Sequence, residues 1–283
     1  MATRTRKPAQ DKTEPAAFQA NEELRAKLQV TSPTEVVEWM NIFLYGEPGV
    51  GKTYFLGTAE DDARLRPMLI FDVEGGMMTL RDKPGIDIIK VRSIQEVEDK
   101  YNMLYHSIEN GKLPWKSMGI DSLTELADLD MRLVMKQAYN RNPDRVDIDV
   151  PSPREWGIVR NHIRLITRAF KDLPCHFICT GALGIDQREN EPDKYRPGFA
   201  GKLVREVPGF FDVVGYYRSR NRGGDITRTL QVVGSDRVLA KDRTKVLGQS
   251  IENPSLTSMW DIVEGVKLEP QDEQPKDNKK EGE

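Results

Sequence analysis

The stretch FLYGEPGVGKTYFL, residues 43–56, limits what this chain can fold into more than any other. From Gly46 to Gly51-Lys52-Thr53 it spells G-x-x-x-x-G-K-T, the spacing of a phosphate-binding loop. Each part has a physical reason. The apolar run NIFLYG before it reads as a buried strand, and KTYFLGTAE after it can open a helix. Gly46, Gly49 and Gly51 let the backbone wrap closely around an anion with its N–H groups pointing inward. The helix N-terminus adds partial positive charge at the same point. Lys52 can reach the β- and γ-phosphates, and the Thr53 hydroxyl can ligate Mg²⁺. The segment Gly46, Glu47, Pro48, Gly49, Val50, Gly51, Lys52, Thr53 and Tyr54 is therefore the expected nucleotide cradle, with ATP and Mg²⁺ as cofactors.

Composition sets the frame. In 283 residues, 38% are hydrophobic and 31% charged, which suits a soluble core with polar ends. The net charge of −3 does not mark the chain as a nucleic-acid binder, so any such site must be a local patch. Cys175 and Cys179, four apart in an apparent strand, read as buried free thiols of a reducing compartment. No apolar run approaches the length of a membrane span, and the N-terminus lacks the apolar core of a signal peptide. The expectation is a cytoplasmic protein without a membrane partner.

Residues 1–22 are polar and unpatterned and read as a flexible arm; 267–283 form a charged tail with too little apolar surface to order itself. Between them, over 23–266, strands alternate with helices. MLIFDV (68–73), IDIIKV (86–91), SMGID (117–121) and CHFICTG (175–181) read as strands, and Ser93 with Glu96 as a capping box. SLTELADLDMRLVMKQAYN and REWGIVRNHIRLITRAFKDL read as helices. This pattern implies βαβ units around a mainly parallel sheet. After Gly181 a long loop is expected to about Pro208, followed by a hairpin around Gly223-Gly224 and a short final helix.

Hydrolysis needs metal and water as well as phosphate. Asp121, at the end of its strand, is in the position of a second metal-binding carboxylate beside Thr53. The alternative is that it N-caps the following helix. FDVEGG carries Asp72 and Glu74 at the end of the second strand, and two residues apart on a strand both point to one face. One of them could then polarise water; the alternative is a solvated strand end.

The order of these parts resembles the RecA-type recombinase core: phosphate loop, FDVEGG, IDSLTEL, a long helix, a variable loop, a helix, and ICTGAL. Within it, the chain is similar over roughly 29–248 to the compact phage single-strand-annealing ATPases of the Sak type, a group of phage AAA or nucleotide-binding proteins. The resemblance implies a RecA-like P-loop core with a C-terminal antiparallel hairpin extension. It makes Lys52, Glu74, Asp121 and Thr180 the catalytic set, with Glu74 activating water, Asp121 and Thr53 on Mg²⁺, and Thr180 sensing the γ-phosphate. The chain departs at Thr180-Gly181, where many recombinases carry an amide. The implied activity is a DNA-stimulated ATPase that oligomerises, as ring or filament, on single-stranded DNA and promotes annealing or pairing in a bacterial host cell. A single-strand binding protein is a further candidate partner.

Two loops would meet the DNA by this resemblance. The first, about 140–155, offers Arg145 and Arg154 among acids of its own. The second, 183–207, interleaves Arg188, Lys194, Arg196, Lys202 and Arg205 with Tyr195 and Phe199, as sequence-independent single-strand binding requires. The alternative is a solvated loop whose cations pair with its own Asp186, Glu189, Glu191, Asp193 and Glu206. Lys241, Arg243 and Lys245 would alternate to one side of a strand and could complete a neighbouring subunit's ATP site; a basic strand edge is the alternative. The isolated histidines lack metal spacing, and Trp39, Trp115, Trp156 and Trp260 are expected to pack, although Trp156 flanks the first loop. A helicase or helicase loader, and a nucleotide-gated interaction protein, are the competing functions.

Overall fold

The computed structural model describes residues 27–29, 39–108, 113–144, 146–187, 189 and 191–265. The arm expected over 1–22 and the tail over 267–283 lie outside them. Residues 27–29 belong to a separate unit, Met1–Glu38; all else described here belongs to Trp39–Glu283.

The sheet is built from β1 (Asn41–Gly46), β2 (Met68–Asp72), β3 (Ile86–Lys90), β4 (Ser117–Asp121), β5 (His176–Asp186) and β7 (Val213–Arg222), with β8 (Asp225–Gln231) and β10 (Ser250–Glu252). Their order is β10-β8-β7-β1-β5-β4-β2-β3. From β3 to β7 the neighbours are parallel, so Gly46, Asp72 and Asp121 all end at one edge. β8 and β10 continue the sheet antiparallel. β1, β2 and β4 are buried along their whole length, which is why they read as short apolar runs rather than alternating ones.

Alternate residues feed two cores. Phe43, Tyr45, Phe71, Ile120, Phe177 and Cys179 face one; Ile42, Leu44, Ile70, Ile178 and Val213 face the other. The first is covered by α2 (Ile94–His106), α3 (Leu123–Arg141), α4 (Pro153–Lys171) and α5 (Leu203–Phe210), the second by α1 (Lys52–Gly57) and α6 (Leu256–Glu264). Side-chain caps fix several starts: Ser93, Ser122, Ser152 and Ser255 each accept a backbone N–H of the following turn. Cys175 and Cys179 are buried and free, as expected.

The architecture is the expected one, a mainly parallel sheet flanked by helices with antiparallel C-terminal strands. The helix that KTYFLGTAE opens is Lys52–Gly57, followed by a 3₁₀ turn at Thr58–Asp61. Three local readings are corrected. The segment after Gly181 is not loop to Pro208: β5 runs on to Asp186 and pairs antiparallel with β6 (Lys194–Pro197), and α5 follows. The strand at Lys241 is the two-residue β9 (Lys241–Asp242), so Arg243 and Lys245 lie beyond it and do not alternate with Lys241; Lys245 has φ 63. Finally, Phe199 is not offered to solvent. Its ring is 4% exposed and stacks on Phe43 at 5.8 Å between centroids, because α5 brings the turn before it down onto the sheet.

Phe199→Ala should therefore cost about 3–5 kcal/mol of unfolding free energy in a urea titration. A loss under about 1 kcal/mol, the scale of a surface substitution, would put the ring back in solvent.

Candidate nucleotide site

The phosphate loop joins β1 to α1 at the carboxyl edge of the sheet, where parallel α/β sheets take their ligands. Gly49 and Gly51 have φ 77 and φ 102, left-handed conformations that turn the loop amides inward. A side chain at Gly46 would run into the Tyr217 carbonyl oxygen, so only glycine lets the loop leave β1 here. Val50 contributes backbone; its side chain is buried in the second core. Glu47 and Pro48 are exposed at the mouth. The Lys52 ammonium donates to the carbonyl oxygens of Gly46 and Glu47, at 3.0 Å each. Burial pulls its pKa down, and the charges of Glu74 and Asp121 push back, so a cation held close to two anions waits beside the loop.

Asp121 joins the parts. Thr53 Oγ1 donates to its Oδ2 at 2.6 Å, and Thr180 Oγ1 donates to its Oδ1. The carboxyl is 1% exposed, and burial raises its pKa while the two hydroxyl bonds and Lys52 lower it. Its alternative role is excluded: the N-cap of α3 is Ser122, whose Oγ accepts the Glu125 N–H at 3.3 Å. Among the described residues no group of three His, Cys, Asp or Glu could cage a metal alone. Mg²⁺ needs no such cage, because it takes one or two protein oxygens together with phosphates and water. Thr53 and Asp121 could supply such a pair of oxygens, and the metal would then neutralise phosphate charge.

The two acids of FDVEGG part company. β2 ends at Asp72, so strand alternation does not extend to Glu74. Asp72 is buried, with Oδ1 accepting the Gly75 N–H at 2.7 Å. Glu74 lies in the turn beyond, exposed, its N–H donating to the Asp121 carbonyl at 3.2 Å. Of the two, Glu74 is the carboxylate that can face solvent beside Lys52 and Asp121.

The chain matches the AAA domain family over residues 38–244. It belongs to that family. Among solved structures, the KaiC-like protein PH0186 from Pyrococcus horikoshii OT3 is similar over 68% of this chain and 77% of its own, at 15% identity and a TM-score of 0.38. No curated protein matches the chain. It is thus an AAA-type P-loop ATPase, and nucleotide binding follows from the family. No helix of the described residues is long and apolar enough to cross a membrane.

One cation of this AAA ATPase is not apparent from the loop motif. Arg228, on β8, donates from Nε to the Val50 carbonyl at 3.2 Å and lies over the exposed Tyr54 ring, 5.5 Å from its centroid. Its place depends on the β7–β8 register, in which it faces Ser219. The hairpin and its Gly-Gly turn were legible; which of its many arginines reaches the loop was not.

Lys194, Tyr195, Arg196, Lys202 and Arg205 gather around one cavity of about 570 Å³ at the β5–β6 hairpin, joined by Arg237, which the sequence did not single out. Lys194 pairs with Glu191 and Arg196 with Asp186, as the solvated-loop alternative expects. Lys202, Arg205 and Arg237 form no ion pair among the described residues. Tyr195 is half-buried, stacked on Tyr216 at 5.3 Å. Arg154 is apart from these, exposed on the first turn of α4. Arg145 and Arg188 lie outside the described residues. Lys241 and Arg243 sit at the opposite, amino edge of the sheet: Lys241 donates to the Pro208 carbonyl at 2.7 Å, and Arg243 pairs with Asp212 at 3.1 Å. Burial first, then Arg243, brings the Lys241 pKa down to about 8.

Because burial raises the Asp121 pKa, ionising it opposes folding: its stabilising contribution is complete below the unfolded pKa and is lost as pH rises through the folded one. Asp121→Asn should therefore leave the melting temperature of the nucleotide-free protein at pH 8 unchanged or higher. It should also abolish the rise of about 5–10 °C that Mg²⁺-ATP at a hundred times Kd gives the wild type. A large fall in the nucleotide-free protein would show that the two hydroxyl bonds stabilise the ionised carboxylate by more than its burial costs.

Proposed function

We propose that this ATPase binds single-stranded DNA as an oligomer and promotes strand annealing or pairing, with ATP hydrolysis releasing the strand. The observation that carries the reading is the path of β5. Thr180 bonds to Asp121 at the nucleotide site, Ala182 N–H donates to Thr124 at 2.9 Å, and Leu183–Asp186 then pair with the strand that carries Lys194 and Arg196. One continuous strand thus leads from the metal-binding acid to the basic cavity. The hydroxyl of Tyr45, immediately before the phosphate loop, shares its one proton between the Leu239 carbonyl at 2.8 Å and the Tyr195 carbonyl at 3.1 Å, tying β1 to the cavity wall.

On this reading the residues take the following roles. Lys52 and the loop amides hold the triphosphate, and Thr53 and Asp121 hold its Mg²⁺. Glu74 orients and deprotonates the attacking water, and Thr180 reports the state of the site through β5. Lys202, Arg205 and Arg237 take phosphates of the strand. Lys241 and Arg243, too far along the sheet to serve their own site, fit a role on a neighbouring copy.

Single-stranded DNA should raise the ATPase rate severalfold. Lys52→Ala should abolish turnover, whereas Lys202→Ala with Arg205→Ala should lose the stimulation and reduce the salt slope of DNA binding by about 2. Absence of both stimulation and DNA binding in every nucleotide state would refute the function.

A further inference from the structure

The basic cavity needs a ring for bases, and the rings that the sequence offered are engaged: Phe199 in the core and Tyr195 against Tyr216. A free one stands next door. Trp156, on the first turn of α4, is 40% exposed and borders a second cavity of about 380 Å³ between α4 and the start of α5. Gly201 and Lys202 line both cavities, so the two adjoin, and a groove across them would have a cationic end and an indole end. Pro153 from the first sequence loop and Ala200, Gly201 and Lys202 from the second line this second cavity together.

We infer that Trp156 is the base-stacking platform of the single-strand site. This rests on the reading of the basic cavity as that site. Charge complementarity selects the occupant: Lys202, Arg205 and Arg237 form no ion pair among the described residues, and a polyanion with unpaired bases satisfies both ends of the groove. The backbone would lie along those cations while one base leaves it, past Lys202, to lie on the indole. Arg160, which also lines the indole end, is opposed by Glu206 at 3.9 Å and adds little net charge there. An indole offers a π-face to every base, so the contact holds a strand without reading its sequence.

Binding of labelled oligo-dT, oligo-U and an abasic strand of equal length is measured by anisotropy with the full chain, alongside tryptophan emission. Oligo-dT should quench the wild type, and the quench should vanish in Trp156→Ala. The variant should bind oligo-dT about 5- to 150-fold more weakly, the loss expected for one stacking platform. Its salt slope and its affinity for the abasic strand should match the wild type, which also shows that it is folded, and Trp156→Phe should recover most of the affinity. Equal weakening with oligo-U would mean that the platform serves RNA as well as DNA and leaves the inference standing. Oligo-dT binding unchanged in Trp156→Ala, or weakened equally for the abasic strand, would overturn it. No binding of any strand by the wild type would overturn the single-strand reading itself.

Discussion

The carboxylate of Asp121 holds the structure's functional parts in one place. It accepts the Thr53 hydroxyl from the phosphate loop on one oxygen and the Thr180 hydroxyl from the next strand on the other. A buried carboxylate is tolerated only with such partners, so the loop, β4 and β5 are positioned by a single requirement. The chain supplies it by ending a central strand in Asp121 and leaving the capping of α3 to Ser122. Were the acid the cap, its oxygens would be committed to backbone amides and β5 would have no link to the nucleotide.

That link gives the site a consequence at a distance. β5 is longer than the sheet needs, and its last residues leave the parallel core to form a hairpin with β6. Anything that changes how Thr180 sits on Asp121 acts on a strand whose far end builds the basic cavity. Tyr45 reinforces the connection from β1, since its hydroxyl is bonded to two carbonyls of the cavity wall. Closely packed strands transmit such shifts because they cannot absorb them.

The parallel core and the phosphate loop were legible in the sequence because each is imposed by a strict physical demand: continuous apolar strands for burial on two faces, glycines and Lys-Thr for an anion. Asp121 was legible as a candidate but ambiguous with a cap, which only the Ser122–Glu125 bond resolves. The β5–β6 hairpin was not legible, because LGID and KYRP are short, polar and joined by charged residues, without apolar alternation. Phe199 was misread for the same reason: beside glycines and cations a ring looks available, and only the fold of α5 onto the sheet buries it. Arg228 and Arg237 depend on strand register and long-range closure, which local spacing does not encode.

The claim that most needs testing is the coupling through Thr180. The dissociation constant of a single-stranded oligonucleotide, measured with Mg²⁺ and a slowly hydrolysed ATP analogue and again with Mg²⁺-ADP, gives the coupling directly, in wild type and in Thr180→Val. A ratio of about 5- to 150-fold is expected for the wild type, falling to within about twofold in the variant. The same ratio in both proteins would contradict the account, since the nucleotide would then be reaching the groove by some other route.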